Sequence, residues 1–408
     1  MLKAVLSNPV HPEYGGITIP FPISREEYDH TMELLEGIDI GDVLRQDCNI
    51  AELDSSYSIL KRLENATVNV DELDYLAKRL DSFCEGEDDQ FLAMAHKLEL
   101  TDIRDLINLT FCCQRATVIT DFSDLERIGR THRLNLSGGA MPTEEYAKLN
   151  GRAEALRLIA GGGEMVTPYG VVYDNGMRLE PLYDGRHFPS YLYKSPVVAL
   201  ETVSGSDTEG YFCLPMSDQQ IQRMIERSEL EIQNAPLKIV TDALPEKVAE
   251  ALDLESLSVG DISALNQMCR AIEPLKDADM EKLNAIVLTA GPGDIMAVCH
   301  LAENLDRFDF VPDIHTPEEY GKYMIQQSGR FEYDEELEDF YDYRSYGEQR
   351  VKSEDGHFNE CGYVAYRGIL KIEELMYLQS MEQSRQEQGM DAYTGLNLPH
   401  AREKPATS

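Results

Sequence analysis

DELDYLAKRLDSF, residues 71–83, and DISALNQMCRAI, residues 261–272, decide how this chain is read. Set at an offset of 192 residues, Leu73 meets Leu265, Leu76 meets Met268 and Leu80 meets Ile272, one apolar stripe at helical spacing. The same offset lays 72–129 on 264–321 without a gap and holds nine identities. They are Leu73/Leu265, Ala93/Ala285, Asp102/Asp294, Ile103/Ile295, Leu109/Leu301, Arg115/Arg307, Asp121/Asp313, Glu126/Glu318 and Gly129/Gly321. Upstream, Pro22-Ile23-Ser24 answers Pro215-Met216-Ser217 at an offset of 193. A repeat of this length reads as two diverged copies of one module.

Each copy has the same expected plan. A short strand (Ile17–Ile19; Tyr211–Cys213) leads into a helix with capping-box spacing, Ser24 with Glu27 and Ser217 with Gln220. Tyr28, Met32 and Leu35 form the buried stripe of the first such helix, and Gly37 suits its C-terminal stop. Three helices follow, over 71–83, 88–98 and 101–110 in one copy and 261–272, 279–288 and 294–305 in the other. A strand (117–120; 308–311) then leads to another helix, and Thr316-Pro317-Glu318-Glu319 is a strong start for it. Residues 136–196 read as a β-rich connection with a hairpin turning at Asn175-Gly176. The expected fold is therefore α+β, an elongated chain of small mixed sheets and helical clusters. Its parts are 1–135 (a small α/β part to 60, then a helical part), 136–196, 197–350, and 351–408. The last holds an amphipathic helix over Ile369–Gln386 and a loose tail.

Charge bears on partners. The 408 residues carry 74 Asp and Glu against 37 Lys and Arg, a formal net charge of −37, where solubility of a small domain asks for about 2–8. Ten acids and one base lie between Glu26 and Asp54, nine acids and two bases between Glu318 and Asp342. Residues 137–200 hold seven acids and six bases. Adaptation to high salt would acidify every surface, so concentration in two places points to working faces. Glu26, Asp29, Glu33 and Glu36 share one side of a helix, and Glu335, Glu338, Asp339 and Asp342 repeat the spacing with Leu337, Phe340 and Tyr341 as the apolar side. Such rows recur about every 5–6 Å along a helix axis, and duplex DNA shows one charge per ~1.7 Å.

Phe308-Asp-Phe-Val-Pro-Asp-Ile-His-Thr-Pro-Glu-Glu-Tyr-Gly-Lys-Tyr323, then Leu337-Glu-Asp-Phe-Tyr-Asp342-Tyr-Arg-Ser-Tyr346-Gly347, resembles the C-terminal part of ArdA-type antirestriction proteins. Lys238-Ile-Val-Thr-Asp242 is similar to the family's strand ending in Thr-Asp, and Thr117–Gly129 is a weaker echo. The likeness covers 197–350 well and 1–135 more loosely. The family's Gly-Arg-Asp after Tyr-Gly is replaced here by Gly347-Glu-Gln-Arg350. The resemblance implies an acidic mimic of B-form DNA that occupies the DNA groove of type I restriction–modification enzymes, is carried by conjugative elements and can form a homodimer. The acids expected to meet that groove are Glu26, Asp29, Glu33, Glu36, Asp39 and Asp42, with Glu318, Glu319, Asp334, Glu335, Glu338, Asp339 and Asp342 in the second copy.

Other chemistry finds little support. Gly161-Gly-Gly163 and Gly291-Pro-Gly293 lack the Lys-Ser/Thr of a phosphate loop, and the nine His show no HExxH. Glu85–Asp89 lacks the ligand order of a calcium loop. The eight Cys form no CxxC, and Cys112-Cys113, Cys269 and Cys299 sit in apolar stretches as core thiols do. No catalytic residue, metal or cofactor is expected, nor any direct nucleic-acid or membrane contact. The N-terminus lacks the apolar core of a signal peptide, and a reduced, cytoplasmic protein is expected. An acidic adaptor or chaperone for another cationic protein, and a carboxylate-based hydrolase, remain as alternatives.

Overall fold

A computed structural model describes residues 2–204, 207–230 and 235–377, and the chain separates into two compact units. The first is Met1–Asp242 with Ser258–Gly260; the second is Ala243–Leu257 with Asp261–Ser408. Both combine helices with small antiparallel sheets, an α+β fold.

The first unit begins with β1 (Leu2–Ser7), β2 (Gly16–Phe21), α1 (Arg25–Glu36), β3 (Cys48–Ser55) and β4 (Thr67–Val68). These strands form one antiparallel sheet in the order β2-β1-β3-β4. Leu2, Ala4 and Leu6 alternate inward along β1, as a half-buried strand requires, and α1 adds Tyr28, Met32 and Leu35 to that core. Ser24 occupies the N-cap of α1, yet its hydroxyl makes no capping bond, so the expected capping box is absent. Gly37 closes the helix in a right-handed conformation, and Asp39 takes the left-handed one at φ 59°.

A helical cluster follows: α2 (Val70–Asp81), α3 (Glu87–Lys97) and α4 (Ile103–Leu109). Asn69 and Glu72 build the capping box of α2, and Asp102 caps α4. The chain continues through β5 (Thr117–Ile119), α5 (Leu125–Leu136), α6 (Thr143–Lys148), α7 (Gly151–Gly161), β6 (Met165–Thr167) and β7 (Gly170–Tyr173). The expected β-rich connection over 136–196 thus holds more helix than strand. Its hairpin turns at Pro168-Tyr169, between β6 and β7. Asn175 and Gly176 do take positive φ, 56° and 75°, but no strand follows them. Only a partner for both sides of the turn makes it a hairpin, and β7 pairs with β5 instead.

Residues 197–242 add β8 (Val198–Ser204), β9 (Asp207–Leu214), α8 (Asp218–Arg227) and β10 (Leu237–Asp242), with sheet order β10-β8-β9. This sheet belongs to the first unit, past the boundary the sequence suggests. Arg223 pairs with Asp71 at 2.7 Å and donates to the Gly41 carbonyl at 2.8 Å. Arg227, 3% exposed, donates to Asn69 (2.6 Å), the Val43 carbonyl (2.7 Å) and the Tyr183 hydroxyl (3.1 Å). Tyr183 in turn donates to Glu72 at 2.8 Å. Phe188 stacks against Tyr75 and Tyr183 at 4.4 and 5.0 Å, so the strand-free stretch before β8 is held by its rings.

The second unit holds α9 (Glu246–Ala251), α10 (Ile262–Ile272), α11 (Asp277–Ala290), α12 (Ile295–Glu303), β11 (Phe308–Pro312), α13 (Pro317–Gln326), α14 (Tyr343–Glu354), β12 (His357–Asn359), β13 (Gly362–Tyr366) and α15 (Ile372–Met376). Thr316 and Glu319 complete the capping box of α13, with Pro317 in its first turn. The sheet order β11-β13-β12 matches β5-β7-β6 of the first unit, each placing its last strand in the middle. Both units also cross two helices at glycines. A Cβ on Gly129 would strike the Gly151 carbonyl, and one on Gly321 the Tyr343 carbonyl. Of the helix expected over Ile369–Gln386, the structure shows α15; what lies beyond 377 is outside the described residues.

Two outcomes follow from this packing. Arg223→Ala leaves Asp71 with Arg227 at 3.8 Å as its remaining cation and should lower unfolding free energy in urea by about 1–3 kcal/mol, while the double change Arg223→Met, Asp71→Asn recovers part of it. Gly321→Ala forces α13 and α14 apart and should cost about 1–3 kcal/mol or more in the same titration, against near-neutrality at exposed Gly161→Ala, where an added Cβ meets open space; the comparison fails if both behave alike.

Candidate functional site: two acidic faces

The basic side chains decide what remains acidic outside. Lys78 is spent on buried Asp74 (2.7 Å), Arg223 on Asp71, and Lys97 on Asp174 (2.7 Å). Each such pair neutralises an acid that was never on the working surface. Sequence reasoning missed this consumption, although Arg223 and Arg227 at i,i+4 on an otherwise apolar-faced helix were its signal.

On α1, Glu26, Glu33 and Glu36 lie outward, opposite the buried stripe. Glu26 and Glu33 stand 3.4 and 3.8 Å from Arg25 and His30. Asp29 is exposed but accepts the Ser217 hydroxyl at 2.6 Å, which fastens α1 to α8. Asp39 is exposed on its left-handed turn. Asp42 does not join the row. It accepts the Leu44 and Arg45 amides at 2.9 and 2.8 Å and the Arg45 guanidinium at 2.7 Å, and the Arg45 hydrogen bond holds its carboxyl down at about 2.

In the second unit the expected helical stripe is not helical in the α sense. Residues Glu335–Phe340 form one short 3₁₀ turn, so the acids follow a period near three. Phe340, expected on the apolar side, is 83% exposed, and the Leu337 side chain is outside the described residues. Three carboxylates here finish backbone instead of facing solvent freely. Asp334 accepts the Glu336 amide (3.0 Å), Asp342 the Ser345 amide (3.0 Å), and Glu319 the His315 and Thr316 amides (2.9 and 3.0 Å). Glu338 pairs with Lys322 at 2.8 Å and takes a bond from Gln326 at 3.1 Å; the Lys322 bond lowers its pKa. Glu318, Glu335 and Asp339 remain exposed.

The thirteen acids therefore divide. Asp29, Asp42, Glu319, Asp334, Glu338 and Asp342 are tied by short hydrogen bonds, and the other seven are exposed, Glu26 beside Arg25 and Glu33 beside His30. Their chemistry is that of exposed anions, acceptors for Lys and Arg side chains. The described residues contain no group of three His, Cys, Asp or Glu placed to hold a metal. Cys48, Cys112, Cys113, Cys269 and Cys299 are buried, and burial pushes Cys269 and Cys299 up to about 12, so they stay protonated thiols. Among the described residues no helix is long and apolar enough to cross a membrane. No protein-family model and no curated protein matches this chain.

Asp42 gives a pH test. Its folded pKa lies below the ordinary 3.8, so its stabilisation is present above that value and is lost as pH falls toward about 2. Asp42→Asn should flatten the acid limb of stability between about pH 4 and 2 and leave pH 7 to 5 parallel to wild type, measured as the urea midpoint at each pH.

Proposed function

We propose that this chain is a non-catalytic antirestriction protein that presents carboxylates to the DNA groove of a type I restriction–modification enzyme. The observation that carries the reading is the outward row of Glu26, Glu33 and Glu36 on α1, set on a chain with 37 more acids than bases. A row of anions on one helix gives a cationic groove both charge and register, with the backbone already ordered so that only the Glu side chains lose freedom on pairing. The likeness of 308–347 to ArdA-type proteins supplies the enzyme class. Two diverged copies in one chain are part of the proposal. The recurrence of one element order and one sheet order in 70–173 and 262–366 supports it.

Restriction protection in cells tests this. Expression should raise plasmid transfer into a host with a type I system by at least tenfold, and Glu26→Gln, Glu33→Gln, Glu36→Gln together should remove most of that gain. Binding to the purified enzyme should weaken steeply between 50 and 200 mM salt. Unchanged transfer across several type I systems, with tight binding to some other cationic protein, would instead favour an adaptor.

A further inference from the structure

We propose that the 327–342 loop between α13 and α14 receives arginine side chains of a cationic protein, with Phe340 as the stacking ring and Glu335, Glu336 and Asp339 as acceptors. The proposal rests on the reading of the acidic faces as partner-binding and names the group they take. Phe340 is 83% exposed and Phe331 50%. A phenyl ring held in water gains by being covered, and a guanidinium stacks on it by its face while its edge donates to carboxylates. Rings pack against one another within the loop. Tyr333, Tyr341 and Tyr343 follow one another at 5.8 and 5.7 Å. Gln326 donates to the Tyr333 and Tyr343 hydroxyls at 2.7 and 3.0 Å.

The first unit supplies an internal control. Its residues 137–150 join α5 to α7 across the same kind of glycine crossing with two acids, one base and one aromatic ring, Tyr146. Residues 327–342 do the same with seven acids, one base and four aromatic rings. The helix pair therefore closes without this composition: Asp334, Glu338, Asp342 and the tyrosines serve the loop itself, and the exposed Glu335, Glu336, Asp339 and Phe340 are the part that its described contacts leave over. The pairing invoked is also one this chain uses internally. Arg79 lies 4.3 and 4.7 Å from the Phe111 and Tyr191 rings, Arg227 4.6 Å from Phe188, and Arg130 4.8 Å from Tyr146. A lysine ammonium has no planar face to stack, so the surface should select arginine over lysine at equal charge.

The chain contains no tryptophan, so Phe340→Trp in the full-length protein gives a single reporter. Octa-arginine should shift its emission to the blue with an affinity about fivefold above that of octa-lysine. Glu335→Gln with Asp339→Asn should weaken both peptides at least fivefold. Equal affinities for the two peptides, or no shift, overturn the proposal. A second arm separates it from the function above. If wild type protects plasmid transfer and Phe340→Ala protects equally, the arginine surface fails and the function stands. If the peptide titration selects arginine and wild type gives no protection, the surface stands and the function fails.

Discussion

The first unit depends on two arginines taken out of water. Arg223 and Arg227 on α8 reach across to Asp71, Asn69 and Tyr183, and to the carbonyls of Gly41, Asp42 and Val43 in the loop after α1 and of Arg186. Burial alone would disfavour the Arg223 charge, but the Asp71 carboxylate more than offsets it and raises the arginine's pKa. The same burial, with Asp71 adding its charge, raises Tyr28 well above the ordinary phenol range and fixes it as a neutral donor. A buried ion pair contributes little net stability over an apolar replacement. Its effect here is on register: guanidinium forks accept few geometries, so β8, β9, β10 and α8 can seat on α2 in only one way.

That use of arginine has an electrostatic consequence. A protein with a large excess of acids destabilises itself by repulsion. Placing its few bases in buried or half-buried pairs, at Asp71, Asp74 and Asp174, holds the core together without neutralising the outside. Much of the remaining repulsion is blunted locally. Backbone amides at helix starts receive Glu319, Asp334 and Asp342, where helix N-termini favour negative charge. Glu36, Asp39 and Asp339 lie outside those first turns and stay exposed. Their repulsion is relieved by counterions or by a cationic partner, and release of those counterions makes any such binding sensitive to salt.

Helices were the legible part of this fold. Tyr28, Met32 and Leu35 are buried as their spacing implies, and the capping box of Thr316 and Glu319 is present as written in the sequence. Strands failed where pairing was needed to define them. The Asn175-Gly176 turn has its positive φ values, yet the strand on one side of it is missing because β7 is already flanked by β5 and β6. The acidic stripe at 335–342 failed for a related reason. Spacings of three and four are common to α and 3₁₀ geometry over six residues, and nothing local distinguishes them.

What the sequence determined by itself is local and summed: net charge, helix phases, caps, and which chain segments are acidic. These need only neighbours a few residues away, or no geometry at all. What tertiary structure decided is which acids are free. Asp29 shares the sequence neighbourhood of Glu33 and Glu36, yet Ser217, 188 residues away, claims it, whereas Asp42 is claimed locally by Arg45. A carboxylate's availability is set by whatever donor the fold brings within hydrogen-bond distance, and for Asp29 that donor is the N-cap residue of α8.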